Sequence, residues 1–157
     1  DGFKMSKALY DDNDLKIMGL AQDSMSPGKN RVEEIKRFAR LSGIRRIGIA
    51  YCMALKKEAD QLVQMLSGEF EVYPIDCKIG KIPSGELLGR EAKGISCNPA
   101  GQAQFLEQSK TELNISFGLC VGHDMVFNLK TKAPVTNLVV KDREFAHNPV
   151  KVFEKKG

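Results

Sequence analysis

The chain alternates between stretches in which apolar residues recur every three or four positions and short, nearly continuous apolar runs. The first pattern is typical of amphipathic helices and the second of buried β-strands. The runs predict four strands, which span residues 44–51, 70–75, 113–119 and 136–141. Helical stripes precede the first strand and separate each strand from the next, although the stripe before the fourth strand is short. This alternation favours an α/β protein.

Local signals mark where several of these elements begin. Asn30 is a candidate helix N-cap, with Glu33 three residues later as its capping-box partner. Asn98 is a second candidate N-cap, and Pro99 suits the first turn of the helix that follows it. Pro74 lies inside the second predicted strand. Because proline cannot donate a ladder hydrogen bond, this strand is expected at a sheet edge or at a strand end.

Strands that alternate with helices predict a parallel sheet with right-handed crossovers. We expect a three-layer, doubly wound, mostly parallel sheet of about four strands in the order 2-1-3-4, with flanking helices. In such a sheet, ligands bind beyond the carboxyl ends of the strands, at the point where the strand order reverses. For this order, that point lies between the first and third strands.

The pattern divides the chain into two parts. Residues 1–28 are predicted to form a helical or irregular amino-terminal segment, in which Leu15 and Met18 suggest a short helix. Residues 29–157 are predicted to form a single α/β domain with an irregular carboxy-terminal tail. Within that domain, residues 78–96 contain glycines and lack a clear periodicity, so they form a surface loop or a lid.

The amino-acid composition mainly excludes certain classes of partner. Of 157 residues, 42% are hydrophobic and 28% are charged, as in ordinary globular domains. The net charge of +4 is small and the basic residues are interspersed with acidic ones, so no nucleic-acid partner is expected. No apolar run approaches the roughly 20 residues of a membrane helix, so no membrane partner is expected. The expected partner is a metal ion or a small molecule, and the oligomeric state stays open.

The four cysteines lie at or near predicted strand ends and a helix start. Cys52 follows the first strand, Cys77 the second and Cys120 the third, while Cys97 immediately precedes a helix. All four are therefore expected to converge at one edge of the sheet, with Cys52 and Cys120 at the switch point. Cys77 is the least secure member, because its strand is expected at the margin. A domain of this size builds a core without disulfides, so we expect reduced thiols in the cytoplasm.

Three functions are compatible with these thiols. The leading one is binding of zinc or an iron–sulfur cluster by Cys52, Cys77, Cys97 and Cys120, because both prefer sulfur ligands, with His123 as a fifth candidate ligand or as a hydrogen-bond donor to a ligand. The second is a cysteine-nucleophile or thiol-redox enzyme on a small substrate, with Cys97 or Cys120 as nucleophile and His123 as base. The third is a scaffold in which the cysteines fill the core, since free cysteine is often buried as a small hydrophobe.

Four further residues are candidates for binding a cofactor or substrate at this edge. Gly122 would let a ligand approach the backbone closely, and its amide would stabilise an oxyanion. Asn98 lies beside one of the cysteines at a helix start, and Asp142 follows the fourth strand. His147 would fold back over the same edge. The structural alternatives are a helix cap for Asn98, a solvated charge for Asp142 and a turn for His147.

Motifs in both halves of the chain resemble a known family. These motifs are Arg31-Val32-Glu33-Glu34-Ile35, Ile47-Gly48-Ile49-Ala50-Tyr51-Cys52, Cys77-Lys78-Ile79-Gly80, Cys97-Asn98-Pro99, Gly118-Leu119-Cys120-Val121-Gly122-His123-Asp124, Ala133-Pro134-Val135-Thr136, Val140-Lys141-Asp142-Arg143 and His147-Asn148-Pro149. Over about residues 29–150, the chain resembles an uncharacterised bacterial and archaeal family that is catalogued as domain of unknown function 1847.

The resemblance implies a metal-binding protein, because the family is described as metal binding on account of its cysteines. It implies no particular reaction. Many members of the family have an additional cysteine-rich segment at the amino end, whereas this chain has no cysteine before Cys52. A metal site in this chain would therefore depend on its four cysteines.

Overall fold

A computed structural model describes residues 6–154. Contacts between residues divide the chain into two compact units, Asp1–Gly43 and Ile44–Gly157. The predicted division after residue 28 stays a prediction. Residues 1–5 of the predicted amino-terminal segment and residues 155–157 of the predicted tail lie outside the described residues.

Helices and strands alternate along the second unit as the sequence predicts. The first unit contains the helices α1 (Asp12–Ser24) and α2 (Arg31–Ser42). The helices of the second unit are α3 (Lys56–Ser67), α4 (Ser84–Leu88), α5 (Pro99–Gln108) and α6 (His123–Lys130). The strands are β1 (Arg46–Tyr51), β2 (Glu71–Asp76), β3 (Leu113–Leu119) and β4 (Val135–Val140). Short 3-10 helices span Lys7–Leu9, Met53–Leu55, Ile79–Lys81 and Pro149–Glu154. The last of them lies in the tail that the sequence predicts to be irregular.

The first unit contains α1 and α2, which pack against each other. The side chain of Asn30 accepts a hydrogen bond from the Glu33 amide at 3.1 Å, which confirms the predicted N-cap of α2. Gly43 ends this helix in the left-handed conformation that glycine favours. Helix α1 has 13 residues and is longer than the short helix predicted for this segment.

The second unit contains a four-stranded, all-parallel sheet in the order β2-β1-β3-β4. This order and the α/β class confirm the sequence prediction. Strand β2 lies at an edge, as Pro74 predicts. Right-handed crossovers on a sheet of this order place α3 on one face and α5 with α6 on the other, and α5 packs against α6.

The core of the second unit lies against the two central strands. All seven residues of β3 and five of the six in β1 are buried. One face of the sheet contributes to a cluster formed by Ala50, Ala103, Leu106, Leu119 and Phe127. Helix α5 approaches β1 so closely that a methyl group on Gly48 would lie 2.7 Å from Cδ2 of Leu106. Glycine is therefore required at this position for the observed packing.

The carboxyl ends of the strands are shaped by a local irregularity in β3. The register between β3 and β4 shifts on either side of Phe117. Gly118 lies within this shift with a φ of +69°, a conformation that glycine adopts without strain. Cys120 follows Gly118 by two residues, so this irregularity sets the direction in which the chain leaves β3 at the start of the candidate site.

Among residues 6–154, no helix is both long and apolar enough to cross a membrane.

Candidate functional site

The four cysteines lie near one another at the carboxyl edge of the sheet, as the sequence predicts. Cys52, Cys77 and Cys120 directly follow β1, β2 and β3, and Cys97 lies two residues before the start of α5. All four are free thiols. We call this group of four residues the thiol edge.

Cys77 is close to two other members of the thiol edge. In addition to burial, the thiols of Cys97 and Cys52 both raise the pKa of the Cys77 thiol. The amide of Asn98 also donates a hydrogen bond to the Cys77 carbonyl at 2.7 Å, which ties the start of α5 to the end of β2. Although Cys77 follows an edge strand, it is only 4% exposed. The marginal position of β2 therefore does not separate this thiol from the others.

Gln102, in the first turn of α5, joins the ends of β1 and β2. Its side chain is fully buried, and Nε2 donates hydrogen bonds to Tyr51 O at 3.2 Å and to Ile75 O at 3.0 Å. Two carbonyl acceptors fix the amide orientation, because the amide oxygen cannot donate. Within the described residues, Oε1 has no hydrogen-bond partner. Since Tyr51 precedes Cys52 and Ile75 lies two residues before Cys77, Gln102 holds together the strand ends that present these thiols.

The surroundings of Cys52 favour its thiolate form. Burial raises the pKa of this thiol, but the backbone amide of Ala54 and the ammonium group of Lys141 lower it by more, and the Cys77 thiol adds to the lowering. The net result is a pKa below that of an ordinary cysteine. Ala54 belongs to the 3-10 helix that begins directly after Cys52. The turn at the end of β1 therefore supplies one of the three groups that stabilise the thiolate.

The Cys77 thiol is shifted in the opposite direction. Burial raises the pKa of Cys77 to about 12, the amide of Met53 opposes this change, and the sulfurs of Cys97 and Cys52 add to it. At neutral pH, Cys77 therefore keeps its proton, whereas the neighbouring Cys52 loses its proton more readily than an ordinary thiol. The thiol edge thus contains two adjacent cysteines with opposite protonation tendencies.

Cys120 contacts the loop that follows β4. Nη2 of Arg143 lies 3.3 Å from Sγ of Cys120. The loop is ordered by Asp142, whose Oδ1 accepts hydrogen bonds from the amides of Glu144 and Phe145 at 3.0 and 2.9 Å. The carboxylate of Asp142 therefore fixes the backbone of the segment that presents Arg143.

His147 closes the same loop. Its Nδ1 accepts a hydrogen bond from the Asp142 amide at 3.1 Å, and its own amide donates to the Asp142 carbonyl at 2.8 Å. Asp142 and His147 therefore hold the loop in shape, and the cofactor-binding roles predicted for them stay predictions.

The remaining predicted site residues lie at helix starts. The Gly122 amide, a predicted oxyanion donor, donates to Oδ1 of Asp124 at 3.1 Å at the start of α6. Asn98 accepts from the Gly101 amide at 2.8 Å, which confirms the predicted N-cap of α5. His123 is the first residue of α6, and within residues 6–154 its imidazole makes no hydrogen bond with a cysteine sulfur. The functional roles predicted for these residues stay predictions.

The described part of the chain contains no group of side chains that is arranged to hold a metal ion. Between residues 6 and 154, no three histidine, cysteine, aspartate or glutamate side chains are placed so that they could hold a metal ion. A structural zinc or cluster site requires sulfurs arranged around a common centre. The proximity of the four thiols is therefore not in itself such an arrangement.

Four residues of the site, Gln102, Lys141, Arg143 and Ala54, are not recognised as functional by sequence reasoning. Gln102 carries one signal, since it lies four positions before the buried Leu106 on the inward face of α5. A polar side chain at such a position needs hydrogen-bond partners. Lys141 is visible only as part of a charged cluster after β4. Ala54 contributes a backbone amide, which leaves no trace in the side-chain pattern.

Comparison with known proteins identifies relatives of unknown function. The family model described as "Protein of unknown function (DUF1847)" matches residues 3–138. The uncharacterised protein MJ0455 from Methanocaldococcus jannaschii is 44% identical over 124 residues, which cover 76% of this chain and 64% of the relative. The chain thus spans less than two thirds of that protein's length. No solved structure matches the chain. Because the family model covers well over half of the sequence, the chain belongs to the DUF1847 family.

Proposed function

We propose that two cysteines of the thiol edge, Cys52 and Cys77, form a reactive dithiol that undergoes exchange with disulfides of small molecules. Cys52 is the nucleophile, and Cys77 is the thiol that resolves the mixed disulfide. The proposal is supported by the different surroundings of these two adjacent thiols, which lower the pKa of Cys52 and raise the pKa of Cys77 to about 12. Exchange requires one thiolate to attack first, and a protonated neighbour does not compete with it.

The strand register supports a bond between the same two sulfurs. Tyr51 and Asp76 are paired at the last position of β1 and β2, so Cys52 and Cys77 follow at the next position. Neighbouring strands are about 4.8 Å apart, and disulfides join residues whose Cα atoms are roughly 4.4–6.8 Å apart. A disulfide between these cysteines therefore needs little movement of the backbone.

The exchange proceeds in two balanced steps. The Cys52 thiolate attacks one sulfur of the substrate disulfide, the substrate S–S bond breaks, and one half leaves as a thiolate. The Cys77 thiol then loses its proton to solvent and attacks Sγ of Cys52, which releases the second half as a thiolate. Two electrons pass from the dithiol to the substrate, and the protein is left with a disulfide between Cys52 and Cys77.

Disulfide mapping after reaction with a limiting amount of 2-hydroxyethyl disulfide tests this proposal. The reduced protein is expected to form a bond between Cys52 and Cys77, identified by peptide mass spectrometry. Cys77→Ser is expected to accumulate a mixed disulfide on Cys52, and Cys52→Ser to lose the rapid reaction. Cys120→Ser is the matched control, because it removes a thiol of the same edge that has no part in the two steps. A rapid reaction that survives Cys52→Ser would refute the proposal.

The second candidate function is binding of zinc or an iron–sulfur cluster. It is favoured by the presence of four sulfurs near one another at a single edge of the sheet. Cys52, Cys77, Cys97 and Cys120 would be the ligands, and the sulfurs would have to move until each lay about 2.3 Å from a common zinc ion. Bound metal would deprotonate all four thiols, including Cys77.

Elemental analysis and absorption spectroscopy separate the two candidates. Untagged protein purified without oxygen would contain stoichiometric zinc or iron if the metal hypothesis holds, and the content would fall in Cys77→Ser. Absence of stoichiometric metal would refute it and leave the dithiol proposal in place. Both candidates fit a reducing compartment, and we therefore propose a cytoplasmic location.

A further inference from the structure

We propose that the thiol edge selects disulfides that carry a negative charge, and that Arg143 and Lys141 bind the charged group. This inference rests on the proposed exchange chemistry and adds the class of substrate. It is based on the position of two cations beside the thiols and on the lack of an ion pair between either cation and a carboxylate within residues 6–154.

The two cations lie beside different sulfurs of the thiol edge. Nη2 of Arg143 is 3.3 Å from Sγ of Cys120. Lys141 directly follows β4, its amide donates to the Leu119 carbonyl at 3.3 Å, and its ammonium group interacts with Cys52. Cys52 and Cys120 follow the two strands between which the strand order reverses. A molecule that reaches Cys52 at this point therefore meets both positive charges.

Three acidic side chains near this edge form their hydrogen bonds with backbone amides and not with these cations. Asp76, Asp124 and Asp142 each direct Oδ1 to backbone amides. Within residues 6–154, neither Lys141 nor Arg143 forms an ion pair with a carboxylate. Among the residues that the structure describes, the two cations therefore contact cysteine sulfurs and are not held in ion pairs, so they remain available to an incoming anion.

The chemistry of the two cations defines the group that they would bind. A guanidinium group presents a planar set of donors that matches carboxylate and phosphate, and an ammonium group adds a point charge. Arg143 is exposed and Lys141 is half-buried, so the guanidinium group is the one that an approaching molecule meets first. Both charges also favour the thiolate that leaves when Cys52 attacks. The substrate class is thus a small disulfide with a carboxylate or phosphate group.

Rate constants for three aliphatic disulfides of different charge test the inference. The probes are 3,3′-dithiodipropionate, which is anionic, 2-hydroxyethyl disulfide, which is neutral, and cystamine, which is cationic. Each rate with the protein is divided by the rate of the same probe with a free cysteine peptide, which removes intrinsic reactivity. The normalised anionic-to-neutral ratio is expected to be about fivefold or more, and to fall as salt screens the charges.

Matched variants attribute this ratio to the proposed residues. Arg143→Gln is expected to lower the anionic-to-neutral ratio severalfold, and Arg143→Lys to retain much of it. Lys130→Gln removes the same charge from an exposed position at the end of α6 and is expected to leave the ratio unchanged. Phosphate and acetate, added at constant ionic strength, are expected to compete with the anionic probe, and the stronger competitor identifies the preferred anion.

The results that would overturn this inference differ from those that would overturn the dithiol proposal. A normalised ratio near one, a ratio that Arg143→Gln leaves intact, or no competition by either anion would overturn the inference while exchange itself continued. If Cys52 reacted with none of the three probes, the dithiol proposal would be wrong and the inference would fall with it.

Discussion

Replacing Gln102 with glutamate tests how the ends of β1 and β2 are held together. The native amide donates hydrogen bonds to Tyr51 O and Ile75 O from a fully buried side chain. A glutamate of the same shape can donate only when it is protonated, and then to one acceptor. An ionised carboxylate would face two carbonyl oxygens away from solvent, which is strongly unfavourable. The new carboxyl group is therefore expected to stay protonated in the folded protein.

The loss of stability in Gln102→Glu is expected to depend on pH. In the unfolded chain the new carboxyl group has a pKa of about 4.3, whereas burial raises its pKa in the folded state. A pKa raised by folding means that stability is retained below about pH 4.3 and is lost as pH rises. Each pH unit costs about 1.4 kcal/mol, so the roughly 2.7 units up to pH 7 cost about 3.7 kcal/mol. A further loss of about 1–3 kcal/mol at any pH follows from the carbonyl left without a donor.

Urea unfolding at pH 4.5 and pH 7.0 measures this effect. The matched control is Gln104→Glu, which makes the same chemical change on an exposed position of α5. Relative to wild type, Gln102→Glu is expected to lose about 3 kcal/mol more at pH 7.0 than at pH 4.5. The control is expected to change by less than about 0.5 kcal/mol. Equal losses for Gln102→Glu at the two pH values would refute the proposed bridge between the strand ends.

Gly118→Ala is expected to lower the free energy of unfolding by about 2–4 kcal/mol in urea titrations, because φ is +69° and the new methyl group would overlap the Leu55 side chain. A loss below 1 kcal/mol would contradict this packing. Lys141→Gln is expected to raise the apparent pKa of Cys52 in alkylation assays, and Lys141→Arg to preserve it; equal values in all three proteins would exclude the lysine as a cause. Because folding raises the pKa of Cys77 to about 12, the wild type is expected to lose stability between about pH 9 and pH 11 more steeply than Cys77→Ala, and equal slopes would count against this.

The fold is largely predictable because its signals are local. The apolar runs locate all four strands, and the helical stripes between them imply parallel neighbours. Pro74 has no backbone N–H to donate to a neighbouring strand, which predicts β2 at an edge of the sheet, and the structure agrees. The length of α1 is less predictable, because its sequence lacks a strong apolar stripe and its start depends on a capping box at Asp11 and Asp14.

The site is only partly predictable. The convergence of four cysteines follows from their positions at strand ends, since parallel strands end at one edge. The choice of Cys52 as nucleophile does not follow, because it depends on the Ala54 amide and on Lys141, which comes from the end of another strand. The role of Gln102 depends on two backbone carbonyls that come together only when β1 and β2 pair. Contacts of this kind join distant parts of the chain and leave little periodic signal.

The rate of alkylation of each cysteine as a function of pH tests the central claim most directly. Reduced, metal-free protein would be treated briefly with iodoacetamide from about pH 6 to pH 10, and each cysteine-containing peptide would be quantified by mass spectrometry. Cys52 is expected to react first at pH 7, with a midpoint below that of a free cysteine peptide measured in the same way, while Cys77 stays unmodified. Faster modification of Cys97 or Cys120, or a Cys52 midpoint at or above that of the free peptide, would contradict the proposed role of Cys52.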